Sequence, residues 1–281
     1  MNAISKVTLT VMSFITAVCL ADIRLPSLIS NNMVLQQNSE VTIWGWADPG
    51  ETVTVSQAWE TGNQVNRTVR PGPDGRWNLT LKTPAAGGPE TLTIQGNNEI
   101  TIKNILFGEV WLCSGQSNME WPFSLIENAE SEIAASDYPQ IRVFQVDKTT
   151  SVTPVSDCCG YWQIGDPGGV RYFSAVGYLF SRMLHKELNV PIGMIGSYCS
   201  GTPAESWINR TTLEQQFPEF NSQLELLDKT EYQTSLPRWQ ICGINRNWLQ
   251  QILNSDLGTA ENWQNQSLDD SEWKEIFVPG I

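Results

Sequence analysis

The chain has one histidine in 281 residues, His185. A histidine-dependent mechanism therefore has a single candidate here, or none. Basic charge is also scarce. Lys and Arg number 17 against 30 Asp and Glu, a net charge of -13. Such a chain has no electrostatic footprint for a phosphate backbone, and no basic run interrupts the acidic excess, so nucleic acid is excluded as a partner. With 17% charged and 41% hydrophobic residues, a disordered, self-repelling chain is excluded too. The length suffices for one large domain or two smaller ones, each with a real core. No Cys-x-x-Cys spacing suggests a zinc site. Beyond the first residues no apolar run approaches the roughly 20 residues of a membrane span.

What is present begins with an export signal. Lys6 supplies a positive start, and Val7 to Leu20 is apolar apart from Thr and Ser. Val18-Cys19-Leu20-Ala21 offers small or medium residues before Asp22. Residues 1–21 therefore read as a signal peptide, with a buried first strand or a membrane anchor as the alternatives. The expected location is secreted: extracellular, lysosomal or periplasmic. Of 6 cysteines, losing Cys19 leaves Cys113, Cys158, Cys159, Cys199 and Cys242, an odd set in which one thiol is free or pairs outside the chain. Asn-x-Ser/Thr triplets at Asn66, Asn78, Asn209 and Asn265 fit an exported glycoprotein. The 12 Trp suit either a sandwich core or a sugar-stacking surface. The core is the favoured reading, because most of them sit inside alternating apolar runs.

Residues 22–105 read as a small β-sandwich. Val41 to Trp46, Thr52 to Val55, Trp77 to Leu81, Thr91 to Ile94 and Ile100 to Ile102 alternate, with turns at Asp48-Pro49-Gly50 and Pro73-Asp74-Gly75. From about residue 106 the pattern changes. Val110 to Cys113 reads as a buried strand, Leu125 to Ala135 as a helix and Ile141 to Phe144 as a strand. Phe173 to Leu188 reads as a helix with Phe173, Val176, Phe180, Leu184 and Leu188 near one face, and Ile192 to Gly196 as a buried strand. Strands alternating with helices imply a parallel α/β sheet. Residues 106–255 form this second region. Residues 256–281 are polar and Trp-bearing and read as the opening of another β-domain.

Two loops carry candidate chemistry. Ser114-Gly115-Gln116-Ser117-Asn118-Met119 follows the strand ending near Cys113. Open α/β sheets bind ligands beyond the carboxyl ends of their strands. A serine there, flanked by small polar residues, can hold an exposed hydroxyl near free backbone N–H groups, as an acyl-transfer nucleophile requires. Met119 stands where a Gly-x-Ser-x-Gly elbow has its second glycine, so an ordinary α/β-hydrolase is disfavoured, and a plain polar turn is the alternative. The second loop is Cys199-Ser200-Gly201-Thr202-Pro203-Ala204-Glu205. Thr202 and Glu205 have capping-box spacing with Pro203 at the first helical position, so a helix is expected to start here. The Gly201 amide and that helix end could serve an oxyanion, or the motif is a cap and nothing more. His185, beside Lys186 and Glu187, reads as a solvated helix end rather than a catalytic group.

Phe107-Gly108-Glu109-Val110-Trp111-Leu112-Cys113-Ser114-Gly115-Gln116-Ser117-Asn118-Met119 resembles the first block of the sialate O-acetylesterases, members of the SGNH (GDSL-like) hydrolase superfamily. Phe173 to Gly177, Asn189 to Gly193 and Gly201 to Trp207 are similar to that family as well, as is Met33-Val34-Leu35-Gln36-Gln37. The resemblance implies a flavodoxin-like three-layer α/β domain preceded by the β-sandwich, with Ser117 as nucleophile and Gly201 as an oxyanion-hole donor beside the Ser117 amide. It implies an O-acetylated sugar as substrate, sialic acid foremost, and neither a metal nor an organic cofactor. It also marks what is missing: the Gln-Gly-Glu type block and the Asp-x-x-His block that supplies the base. The expectation is thus a carbohydrate O-acetylesterase whose α/β domain is incomplete at the C-terminus, with residues 256–281 opening an inserted jelly-roll-like domain. A catalytically inactive sugar-binding fragment and an acetyl-xylan-type esterase are the alternatives.

Overall fold

The computed structural model describes residues 22–229 apart from 61, 150 and 152. The expected signal peptide, 1–21, and the expected inserted domain, 256–281, lie outside the described residues. Two compact units divide the described residues: 22–148 with 156–207, and 149–155 with 208–229.

The first unit opens with β1 (Val34–Gln36), β2 (Glu40–Trp46), β3 (Val53–Gln57), β4 (Val65–Val69), β5 (Arg76–Lys82), β6 (Gly87–Gln95) and β7 (Glu99–Gly115). The alternation read from sequence is what buries them. Along β3, Val53, Val55 and Gln57 point inward, and along β5 Trp77 and Leu81 do. β2 and β5 pair antiparallel as a two-stranded ribbon, Ile43 opposite Leu79. β4, β3, β6 and β7 form an antiparallel run, with the short β1 parallel to β7. Ile43, Trp77 and Leu81 of the ribbon share one core with Val53, Val55, Leu92, Ile94 and Ile102 of the larger sheet. Gly50 and Gly75 adopt φ of +88° and +74°, the left-handed conformation that the two foreseen turns need. β1 and β4 have no counterpart in the sequence reading. β1 is three residues long, and the Val-Asn-Arg-Thr-Val of β4 has only two strongly apolar positions.

β7 runs through residue 105, where the sequence reading places a division, and carries the sheet onward. After it come α1 (Ser117–Glu120), α2 (Ala129–Ala134), β8 (Tyr138–Gln145), β9 (Trp162–Gly165), α3 (Pro167–Val170), α4 (Ala175–Leu188) and β10 (Ile192–Tyr198). β10 lies between β7 and β8 and is parallel to both, and β9 closes that end antiparallel to β8. The whole is one mixed sheet in an α/β unit. Its two faces differ. Cys113, Val143 and Met194 pack with Phe123, Ile133 and Tyr178 from the helical side. Phe144 and the partly buried Ile195 join the core of the β-rich region. Among the described residues helices cover one face only.

Three local expectations are corrected. The run Val110 to Cys113 is a strand, but only Cys113 is buried; Trp111 and Leu112 are 44% and 66% exposed. Beyond Gly108 no described strand pairs with β7 on the side away from β10, so this half of the strand is an edge. The expected helix from Leu125 begins only at Ala129, after a 3-10 turn at Phe123–Leu125. The long helix starts after Phe173 because Ser174 caps it, its Oγ accepting from the Gly177 N–H at 3.0 Å. Its buried face is Ala175, Gly177, Tyr178 and Ser181, while Val176 and Leu188 are exposed. A Cβ on Gly177 would lie 2.9 Å from Cys113 Sγ. The close approach to β7 therefore selects the small residues, and the larger ones turn outward. The core reading of the tryptophans holds for Trp77 and Trp162, whereas Trp111, Trp121 and Trp207 are exposed.

In the second unit, α5 (Arg210–Gln216) is capped by Asn209, whose Oδ1 accepts from the Thr212 N–H at 2.9 Å. A 3-10 turn, Pro218–Phe220, leads into α6 (Asn221–Lys229).

Candidate active site

The loop after β7 is built by a backbone reversal. Gly115 takes φ +136°, a conformation that favours glycine, and the chain then turns at once into the single helical turn α1. Gln116 O accepts from the Met119 and Glu120 N–H groups at 3.0 and 2.9 Å, and Ser117 O accepts from the Trp121 N–H at 3.0 Å. Trp121 O in turn accepts from the Ala175 N–H at 2.8 Å, which ties the turn to the start of α4. Ser117 is exposed at the carboxyl end of a parallel strand, and no described residue hydrogen-bonds its hydroxyl or its N–H.

The second candidate loop lies beside it. Tyr198 of β10 pairs with Gly115, and the Cys199 N–H donates to Gly115 O at 3.0 Å. Gly201 follows at φ +74°, exposed, its N–H bonded to no described residue. The expected capping box does not form. Thr202 Oγ1 donates to Cys199 O at 2.7 Å and accepts from Trp207 Nε1 at 2.9 Å, so the indole occupies the oxygen that would have capped the helix. A 3-10 turn, Ala204–Trp207, stands in place of an α-helix. The helix dipole expected behind Gly201 is therefore reduced to that short turn, and the exposed amides are the donors that remain.

Side chains that the sequence reading passed over join the two loops. The Ser200 N–H donates to Glu120 Oε2, Gln116 Nε2 donates to Thr202 O, and Lys148 Nζ pairs with Glu120 Oε1. Partial burial works to raise the Glu120 carboxyl. The hydrogen bonds from Lys148 and Ser200 and the Lys148 charge outweigh it and hold the group below the usual carboxylate range. Beneath the loops, Tyr198 OH donates to Gln145 Oε1 and accepts from the Ser174 N–H at 3.0 Å, and burial raises its phenol above the ordinary value. Burial also pushes the Cys113 thiol up to about 11, which leaves it inert at neutral pH. The Gln116/Glu120 spacing of four around Ser117 was a readable signal; nothing in the sequence marked Lys148.

His185 lies at a helix end, as the sequence suggests, but it is partly buried rather than solvated, and it stands away from these loops. It lies near the C-terminal end of α4, where its Nδ1–H donates to Val190 O at 2.8 Å and its ring meets Tyr138 edge-on. At about 1.5 Å rise per residue it is roughly 15 Å along the helix from Ala175, the end that holds the Ser117 turn. Among the described residues no group of His, Cys, Asp and Glu could hold a metal ion, and no helix is long and apolar enough to cross a membrane. Cys159 is disulfide-bonded.

The chain has relatives among known proteins. The chain is 37% identical over 208 residues to the sialate O-acetylesterase of Rattus norvegicus and 35% identical to that of Homo sapiens, each covering 68% of it. Over the matched residues the chain is thus homologous to sialate O-acetylesterases. It spans 38% to 40% of the length of these curated relatives. A crystal structure of a carbohydrate acetylesterase from Xanthomonas citri resembles it at a TM-score of 0.64 and 34% identity, over 69% of this chain and 44% of that one. No protein-family model matches the chain. The Gly-Gln-Ser-Asn-Met loop of this chain places an exposed serine at a strand end, beside unengaged amides.

Proposed function

We propose that Ser117 is the nucleophile of a carbohydrate O-acetylesterase that removes O-acetyl groups from sialic acids. The observation that carries this reading is the exposed Ser117 hydroxyl beside the unengaged Ser117 and Gly201 amides, at the carboxyl end of β7. Ser117 Oγ attacks the acetyl carbonyl carbon, and the carbonyl oxygen becomes an oxyanion facing the Ser117 and Gly201 N–H groups. The ester C–O bond breaks, and the sugar oxygen leaves with a proton. Water then cleaves the acetyl-serine to acetate. The serine proton needs a base within about 2.6–3.2 Å. His185, the only imidazole in the sequence, is engaged elsewhere, so in this reading the chain contributes the nucleophile and the oxyanion donors, and the base comes from an Asp-x-x-His block outside it.

The finer description of the fold, an SGNH-type three-layer domain behind a β-sandwich, belongs to the same proposal. So does secretion after removal of residues 1–21, with glycans on the sequons. Asn66, Asn78 and Asn209 are exposed, which supports the last point. The placement of His185 favours one second reading, a sugar-binding protein without turnover.

The test is acetate release from O-acetylated sialic acid by the chain expressed together with the C-terminal segment that its relatives carry. Ser117→Ala is expected to abolish turnover with folding intact, leaving the roughly 10³–10⁴-fold over water that comparable sites retain without their nucleophile. Unchanged turnover would remove Ser117 from the mechanism. Glycan binding with no turnover by the wild type would favour the second reading.

A further inference from the structure

The Ser117 turn and the Gly201 loop come from elements far apart in sequence, after β7 and after β10. An oxyanion hole shared between them works only if their amides converge to within a few tenths of an ångström, and a misplacement of about 1 Å can cost on the order of 100-fold. Backbone pairing ends at the Cys199 N–H to Gly115 O bond. Past that point Gly201 is exposed, and a Cβ added there would meet nothing within 4 Å. Packing therefore does not fix Gly201. Besides the loop's own Thr202 Oγ1 bond to Cys199 O, two side chains of the nucleophile turn hold the residues on either side of Gly201. Gln116 and Glu120 are four residues apart, so one helical turn brings both onto the same side, with Ser117 on the turn between them. Glu120 holds the N–H of Ser200 and Gln116 holds the carbonyl of Thr202, the residues immediately before and after Gly201. Glu120 is itself steadied by Lys148 on the segment after β8.

We infer that Gln116 and Glu120 are positioning residues that clamp the Gly201 loop at both sides and set its amide against Ser117. The two bonds differ in kind. The Glu120 bond is charge-assisted and the stronger, and the Lys148 pair keeps the carboxylate ionised and aimed. The Gln116 bond is neutral and limits rotation of the loop about the first. The clamp contributes nothing to the reaction except through the Gly201 amide, so in that role it rests on the esterase reading above. Its geometric part does not.

The experiment measures amide hydrogen exchange at Ser200 by NMR in the full chain, with the thermal midpoint as a control for folding. Glu120→Ala is expected to speed exchange at Ser200 by about tenfold or more, as loss of a charge-assisted bond requires. Glu120→Gln, whose amide oxygen still accepts from Ser200, is expected to restore most of the protection. Gln116→Ala is expected to speed exchange by a few-fold, and Ser117→Ala to leave it unchanged. In the acetate-release assay Glu120→Ala should lower kcat by about tenfold or more with KM little changed, because an oxyanion donor acts in the transition state. Exchange at Ser200 that Glu120→Ala and Gln116→Ala both leave at the wild-type rate, in folded protein, would overturn the clamp. Altered exchange with no acetate release by any form would uphold the clamp and count against the esterase reading instead.

Discussion

β7 is one strand put to two uses. From Glu99 to Phe107 it is paired antiparallel with β6, and β1 joins it at Leu106, so Ile102, Ile105 and Phe107 are buried. From Glu109 to Gly115 it is paired only with β10 among the described strands, and Trp111 and Leu112 lie open. In the first half Ile105, Leu106 and Phe107 are buried in succession, so that stretch tolerates little change, while Glu99 and Lys103 face solvent. The second half is held on one side and ends in a loop whose position depends on a few hydrogen bonds. The β-rich region thus gives the strand its rigidity, and the proposed nucleophile sits where that rigidity runs out, on a loop that other side chains hold in place.

Two substitutions test the contrast. Gly108 stands at the junction, and a Cβ there would lie 1.9 Å from the carbonyl oxygen of Pro191. Backbone cannot yield as a side-chain tip can, so Gly108→Ala is expected to cost about 4 kcal/mol or more and to separate β10 from β7. A urea midpoint close to wild type would mean that the junction is looser than described. At the other extreme, Leu112→Lys changes a residue that is 66% exposed on the open edge. It is expected to shift stability by no more than about 0.5 kcal/mol while raising solubility, since an inserted charge discourages edge-to-edge association. A large loss of stability would show that Leu112 is covered.

Much of this was legible in the sequence because the relevant physics is local. Alternation over Val41 to Trp46 and over Trp77 to Leu81 announced β2 and β5 directly, and the apolar run from Ile192 announced β10. The Ser117 loop was readable because strand ends, glycines and small polar residues have a chemical meaning together. What escaped depends on partners distant in the chain. Val110 to Cys113 looks like a buried strand until the pairing on each side of β7 is known. Thr202 and Glu205 have the spacing of a capping box, but the indole of Trp207 takes the threonine oxygen. Lys148 meets Glu120 only because β8 ends beside β10, a neighbourhood set by the crossover order.

Ser117 and the Gly201 amide are proposed as the nucleophile and oxyanion side of an acetylesterase in which His185 is not the base. Acetate release from O-acetylated sialic acid by residues 22–281 alone tests that reading most directly. The predicted result is a rate near the protein-free blank, for the wild type and for His185→Gln alike. Brisk turnover that survives His185→Gln and is lost in Ser117→Ala would contradict it, since the chain would then contain a base for Ser117 other than its one imidazole.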